Sequence, residues 1–104
     1  MKRRTPITQY CHERIRQLIK NPSLCIDATA GTGKDTVFLA SLAGANGRVI
    51  AMDIQETAVE QTRNRLIKEH LLDRAEVVLD THVHMDVYAD EGSVSLIMFN
   101  LGYL

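Results

Sequence analysis

The chain has 104 residues, 45% hydrophobic and 24% charged, with a formal net charge of −1. That composition suits one modest globular core, and its bulk charge announces no nucleic-acid partner. No run reaches the roughly 18 apolar residues of a membrane span, and the basic N-terminus lacks the apolar stretch of a signal peptide.

Residues 8–20 place Ile15, Leu18 and Ile19 on one face of a helix, and Asn21-Pro22 ends it, because the residue before a proline avoids helical angles. This first segment is also the basic one: Lys2, Arg3, Arg4, Arg14, Arg16 and Lys20 stand against Glu13 alone. Such a face either is simply solvated or meets phosphates. Residues 23–28 read as a buried strand through Leu24, Cys25 and Ile26. Small residues follow from Ala30 to Gly33, then a helix over about 34–43, stopped by Gly44-Ala45-Asn46-Gly47.

A second strand covers 48–52 and ends at Asp53. The spacing of Val59, Thr62, Leu66 and His70 predicts a helix over 56–72. Residues 75–79 form a third strand, Asp90-Glu91-Gly92 a turn, and 94–99 a fourth strand. Apolar strands alternating with helices imply a parallel sheet covered on both faces. Residues 1–22 are then an N-terminal helical segment and 23–104 an α/β domain built to hold a cofactor. Cys11 and Cys25 have no metal-ligand spacing and suggest no disulfide framework, which fits a reducing cytoplasm.

The stretch "CIDATAGTGKDTVFLA" (25–40) carries the chemistry. A phosphate loop for ATP needs G-x-x-x-x-G-K-[ST]. Here Ala28 takes the first glycine position and Asp35 the Ser/Thr position, where a carboxylate would oppose phosphate. A dinucleotide fingerprint needs G-x-G-x-x-G with an acid about 20 residues on. Gly31, Gly33 and Asp53 satisfy it, but Thr36 replaces the third glycine and Asp27 would face a pyrophosphate. S-adenosylmethionine carries a sulfonium and an amino group and no phosphate. Asp27 can attract its methionine part, Gly31 and Gly33 let the backbone approach it, and Asp53 can accept from both ribose hydroxyls.

"DATAGTGKDTVFLA", "VIAMDIQ", "VVLDTHVHM" and "LIMFNLGYL", in that order, resemble the motifs of class I S-adenosylmethionine-dependent methyltransferases. More narrowly they resemble the small bacterial rRNA methylase family, whose members methylate the aminomethyl group on the wobble uridine of tRNA. The resemblance implies a Rossmann-like class I methyltransferase fold with strands in the order 3-2-1-4. It implies that Asp27, Thr29, Gly31, Thr32 and Gly33 form the cofactor loop, with Asp35 and Thr36 opening the next helix. It sets Asp53 and Gln55 beside the ribose, Thr81 and His82 on the adenine side, and Asn100 at the acceptor. Thr32 departs from the asparagine of many relatives. Asn100 would accept a hydrogen bond from the attacking amine, as would the Leu101 carbonyl, and Tyr103 would wall the pocket or stack on the base.

"DTHVHMD" sets Asp80, His82, His84 and Asp86 at alternate positions, one face of a strand if extended, but no further ligand clusters nearby and no metal is assigned. The family pattern has seven strands. Strands 5–7 are expected to be missing here, making the chain the cofactor half of a longer enzyme, with its fourth strand an apolar edge open to a second copy. Competing expectations are a fragment of a nicotinamide-dependent oxidoreductase and a non-catalytic association module.

Overall fold

The structure, a computed structural model, describes residues 7–99. In chain order the elements are α1 (Ile7–Leu18), β1 (Leu24–Asp27), α2 (Lys34–Ala43), β2 (Arg48–Asp53), α3 (Glu56–Lys68), β3 (Ala75–Leu79), α4 (Met85–Tyr88) and β4 (Leu96–Met98). Single 3-10 turns lie at Leu72–Arg74, His82–His84 and Glu91–Ser93.

The four strands are parallel, in the order β3-β2-β1-β4. That is the Rossmann-like order the family resemblance implies. The register pairs Asp27 with Ala51 and Met98, and Asp53 with Leu79, so all four strands finish at one rim. Chain order reverses between β1 and β4, and in open parallel sheets ligands settle outside the carboxyl ends at such a reversal.

Alternation along each strand builds two cores. Cys25, Val49, Ala51 and Val77 face Phe38, Leu39 and Ala40 of α2 and Val59 and Leu66 of α3. Ile26, Ile50 and Met52 point to the opposite face and pack with Val78, Met85, Tyr88, Ala89 and Val94. Leu39, Leu66, Ile26 and Met52 are fully buried, each contributing about 1.5–3 kcal/mol of burial.

The helix ends follow local chemistry. Asn21 takes a left-handed conformation (φ 48°) before Pro22, closing off α1. Gly44 (φ 75°) closes α2 and returns its N–H to the Ala40 carbonyl. α3 stops at Lys68, short of the expected Leu72. His70, expected to continue the helical stripe, instead adopts φ 60°. Its N–H donates to the Ile67 carbonyl, and the Leu71 N–H reaches back to the Leu66 carbonyl. This is a Schellman closure with histidine in the place usually held by glycine, helped by Leu71 and Leu66 both lying in the core.

β4 is also shorter than expected, three residues rather than six. With β3 it is one of the two edge strands among the described residues, and Ile97 on it is 41% exposed. No helix among the described residues is long and apolar enough to cross a membrane.

Candidate functional site

Residues 28–33 connect β1 to α2 across the rim, and most of their amides are answered from within the protein. The Asp27 carboxylate accepts from the Thr29 N–H at 3.2 Å, and Asp53 Oδ2 accepts from the Gly31 N–H at 3.0 Å. Ala30 N–H donates to the Met52 carbonyl and Gly33 N–H to the Ala30 carbonyl. The loop carbonyls are engaged by α3: Thr62 Oγ1 donates to Gly31 and Arg65 Nε to Thr32. The loop is thus laced to β2 and α3 before any ligand arrives.

Glycine serves two purposes here. Gly31 sits at φ 57°, a left-handed conformation that favours glycine, and a Cβ on it would meet the Thr29 carbonyl oxygen at 3.9 Å, an ordinary contact. Gly33 sits at φ 91°, and a Cβ on it would fall 2.9 Å from the Thr62 Cα. Its close approach is to α3.

Asp27 is fully buried. Its Oδ2 accepts from Thr36 Oγ1 at 2.7 Å. Burial pushes its carboxyl up to about 6, against the Thr36 and Thr29 hydrogen bonds, and the negative charges of Asp35 and Asp53 push the same way. A desolvated acid this close to two others makes the rim unfavourable for a further anion. Asp27 is therefore a fastener of the loop, with both oxygens turned to protein donors.

Asp53 is placed differently. It is half-buried, and its Oδ1 accepts from the Gln55 N–H at 2.9 Å. It borders a cavity of about 200 Å³ together with Ala28 and Thr29 from the loop, Ile54, and Asp80, Thr81 and His82 beyond β3. Four of the predicted residues, Thr29, Asp53, Thr81 and His82, thus meet around one space. Asp27, Asp35 and Thr36 support it from behind, and Gln55 contributes its backbone. Thr32 faces a separate groove with Gln61, Asn64 and Arg65 of α3. Asn100 and Tyr103 lie outside the described residues.

Sequence reasoning missed the course of the chain beyond β3 and the role of Asp80. The chain after β3 does not stay extended. It makes a 3-10 turn and then α4, so Asp80, His82, His84 and Asp86 do not share a face. Among the described residues no three His, Cys, Asp or Glu side chains gather as metal ligands. Asp80 instead organises the turn, accepting from the Thr81 N–H (2.7 Å), His84 Nδ1 (2.8 Å) and Tyr88 Oη (2.8 Å). The His84 and Tyr88 hydrogen bonds, with that of Thr81, hold its carboxyl below the usual range. His84, exposed at the surface, is part of this clasp. His82 stands edge-on to Phe99, centroids 5.2 Å apart, and also borders an apolar cleft of about 350 Å³ with Ile26, Met85 and Ile97. His12, to which the sequence assigned nothing, pairs with Asp35.

Residues 49–104, more than half of the chain, match the family model described as "Putative rRNA methylase". The chain belongs to the rRNA methylase family. Of the residues considered above, Asp53, Gln55, Thr81, His82, Asn100 and Tyr103 fall within the stretch that matches the rRNA methylase model. The chain is 42% identical to an rRNA methylase from Clostridium thermocellum, covering 100% of this chain and 55% of that one with a TM-score of 0.86. It is 37% identical to a methyltransferase from Streptococcus mutans crystallised with SAH, covering 99% and 55% of the two chains, TM-score 0.81. It is 33% identical to the chloroplastic tRNA (mnm(5)s(2)U34)-methyltransferase of Arabidopsis thaliana, across 97% of this chain and 40% of that protein. The chain therefore spans about half the length, or less, of these relatives.

Proposed function

We propose that this protein binds S-adenosyl-L-methionine in the cavity beside Asp53 and serves methyl transfer to RNA, with the aminomethyl group of the tRNA wobble uridine as acceptor. The observation that carries the first half is where the loop amides point. A pyrophosphate is held by backbone N–H groups aimed outward at a helix N-terminus. Here those of Thr29 and Gly31 are answered by Asp27 and Asp53, and those of Ala30 and Gly33 by carbonyls. With those amides occupied, the loop suits a nucleoside without phosphate and disfavours NAD.

Each Asp53 oxygen takes one amide, and a carboxylate offers about four acceptor sites. Two are left for a pair of ribose hydroxyls. Thr81 and His82 would flank the adenine, and Ala28 to Gly31 the methionine portion. When bound, S-adenosyl-L-methionine supplies an electrophilic methyl: the amine lone pair forms the new N–C bond, the S–C electron pair returns to sulfur, and the ammonium product releases a proton to water. The protein's part is to orient the amine. By resemblance we assign that to Asn100, accepting from the amine N–H, with Tyr103 walling the acceptor.

The tRNA acceptor draws on the plant relative's name and on the basic residues Arg14, Arg16 and Lys20. To test it, tRNA from a strain lacking the protein is incubated with S-adenosyl-L-methionine and the chain extended to the full length of its relatives, then digested for nucleoside mass spectrometry. One methyl gained on aminomethyl-uridine is the expected result. Methyl gained on rRNA alone would assign a different acceptor, and binding without transfer to either RNA would remove the catalytic half of the proposal.

A further inference from the structure

His12 projects from α1, an element that contributes no residue to the cavity wall. Its Nε2–H donates to Asp35 Oδ1 at 2.7 Å. Its ring lies flat on Phe38, centroids 3.9 Å and planes 2° apart. The Arg16 guanidinium carbon stands 5.2 Å from the centroid of the same Phe38 ring. The two paired side chains keep only 17% and 8% of their exposure, so water competes little for the bond, and a carboxylate acceptor strengthens it.

Asp35 is the second residue of α2. The next residue, Thr36, carries the hydrogen bond that fastens Asp27, and Asp27 in turn holds the Thr29 N–H. A continuous set of contacts thus runs from α1 through the first turn of α2 into the loop.

We propose that His12 is a positioning residue for the cofactor loop: it fixes Asp35 from α1, and so keeps the first turn of α2 where Thr36, Asp27 and Gly31 shape the cavity beside Asp53. This rests on the cofactor site proposed above. It makes α1 and the cavity energetically linked. A ligand that needs the ordered loop stabilises α1, and an ordered α1 favours the ligand by the same factor. A histidine that merely stapled α1 to the core, as Ile15 does, would affect melting and leave binding by the folded molecules unchanged.

The test is calorimetric titration of S-adenosylhomocysteine into the unaltered protein, His12→Ala and His12→Gln, each well below its own melting temperature. Hydrogen exchange over residues 7–18 is followed with and without the ligand. His12→Ala is expected to weaken binding about tenfold, within the usual range of coupling between sites. His12→Gln, whose amide N–H can still reach a carboxylate, is expected to recover part of that loss. The ligand is expected to slow exchange on α1 in the unaltered protein and much less in His12→Ala. Should His12→Ala fail to fold, His12→Gln carries the comparison, with intermediate weakening expected. Variants that bind within about twofold of the unaltered protein, with α1 exchange indifferent to ligand, would overturn the role of His12 alone. No binding by the unaltered protein would remove the site itself and the role with it.

Discussion

Asp53→Ala is expected to lower the affinity for S-adenosylhomocysteine at least about a hundredfold, read by calorimetry. Its carboxylate does two jobs at once. It ties the Gly31 and Gln55 amides, and it borders the cavity with Thr81 and His82. Hydrogen bonds to a charged group are worth about 1.5–3 kcal/mol each, so losing the ribose pair alone accounts for a hundredfold. Loss of the Gly31 tether adds to this by loosening the loop. Asp53→Asn is expected to fall between, since its amide keeps one acceptor oxygen. A variant that folds and binds as tightly as the unaltered protein would show that the nucleoside does not rest on Asp53.

The largest stability effect is expected at Gly33. Gly33→Ala puts a methyl group 2.9 Å from the Thr62 Cα at a left-handed φ of 91°. Both partners in the clash are backbone-bound, so no side chain can swing aside. Overpacking costs about 1–3 kcal/mol, and the left-handed conformation about 1–2 kcal/mol more for a residue with a Cβ. At about 4–8 °C per kcal/mol for a domain near this size, melting should fall by at least about 8 °C, followed by circular dichroism. The same shift moves α3 away from the loop, breaking the Thr62 and Arg65 bonds to its carbonyls. An unchanged melting temperature would contradict the packing role assigned to this glycine.

Much of the fold was legible because parallel strands buried on both faces leave unbroken apolar runs. Leu24 to Ile26 and Val49 to Met52 are such runs, and both fall in the central strands. α2 was legible at both ends because glycines flank it. The end of α3 was not, because a left-handed His70 does the work that a glycine would have announced. α4 has four residues, too few to display a helical period, so the Asp80 clasp stayed hidden inside the histidine-rich stretch that follows the third strand.

The two acids at the rim could be found from spacing, but their division of labour could not. Asp27 and Asp53 occupy equivalent strand ends, yet Asp27 is fully buried against Thr36 while Asp53 reaches the cavity. That difference depends on where α2 begins, a tertiary fact. His12 and Asp35 lie 23 positions apart, beyond any local pattern. Gly33 was recognised as special, and the neighbour that makes it so, Thr62, lies on another helix.

The central claim is that the rim left open by this loop accepts a positively charged nucleoside and refuses a pyrophosphate. Parallel titrations of the unaltered protein with S-adenosyl-L-methionine, S-adenosylhomocysteine and NAD test it most directly. Saturable binding of the first two, lost in Asp53→Ala, with no heat from NAD, is the predicted result. Binding of NAD in preference to either sulfur nucleoside would contradict it.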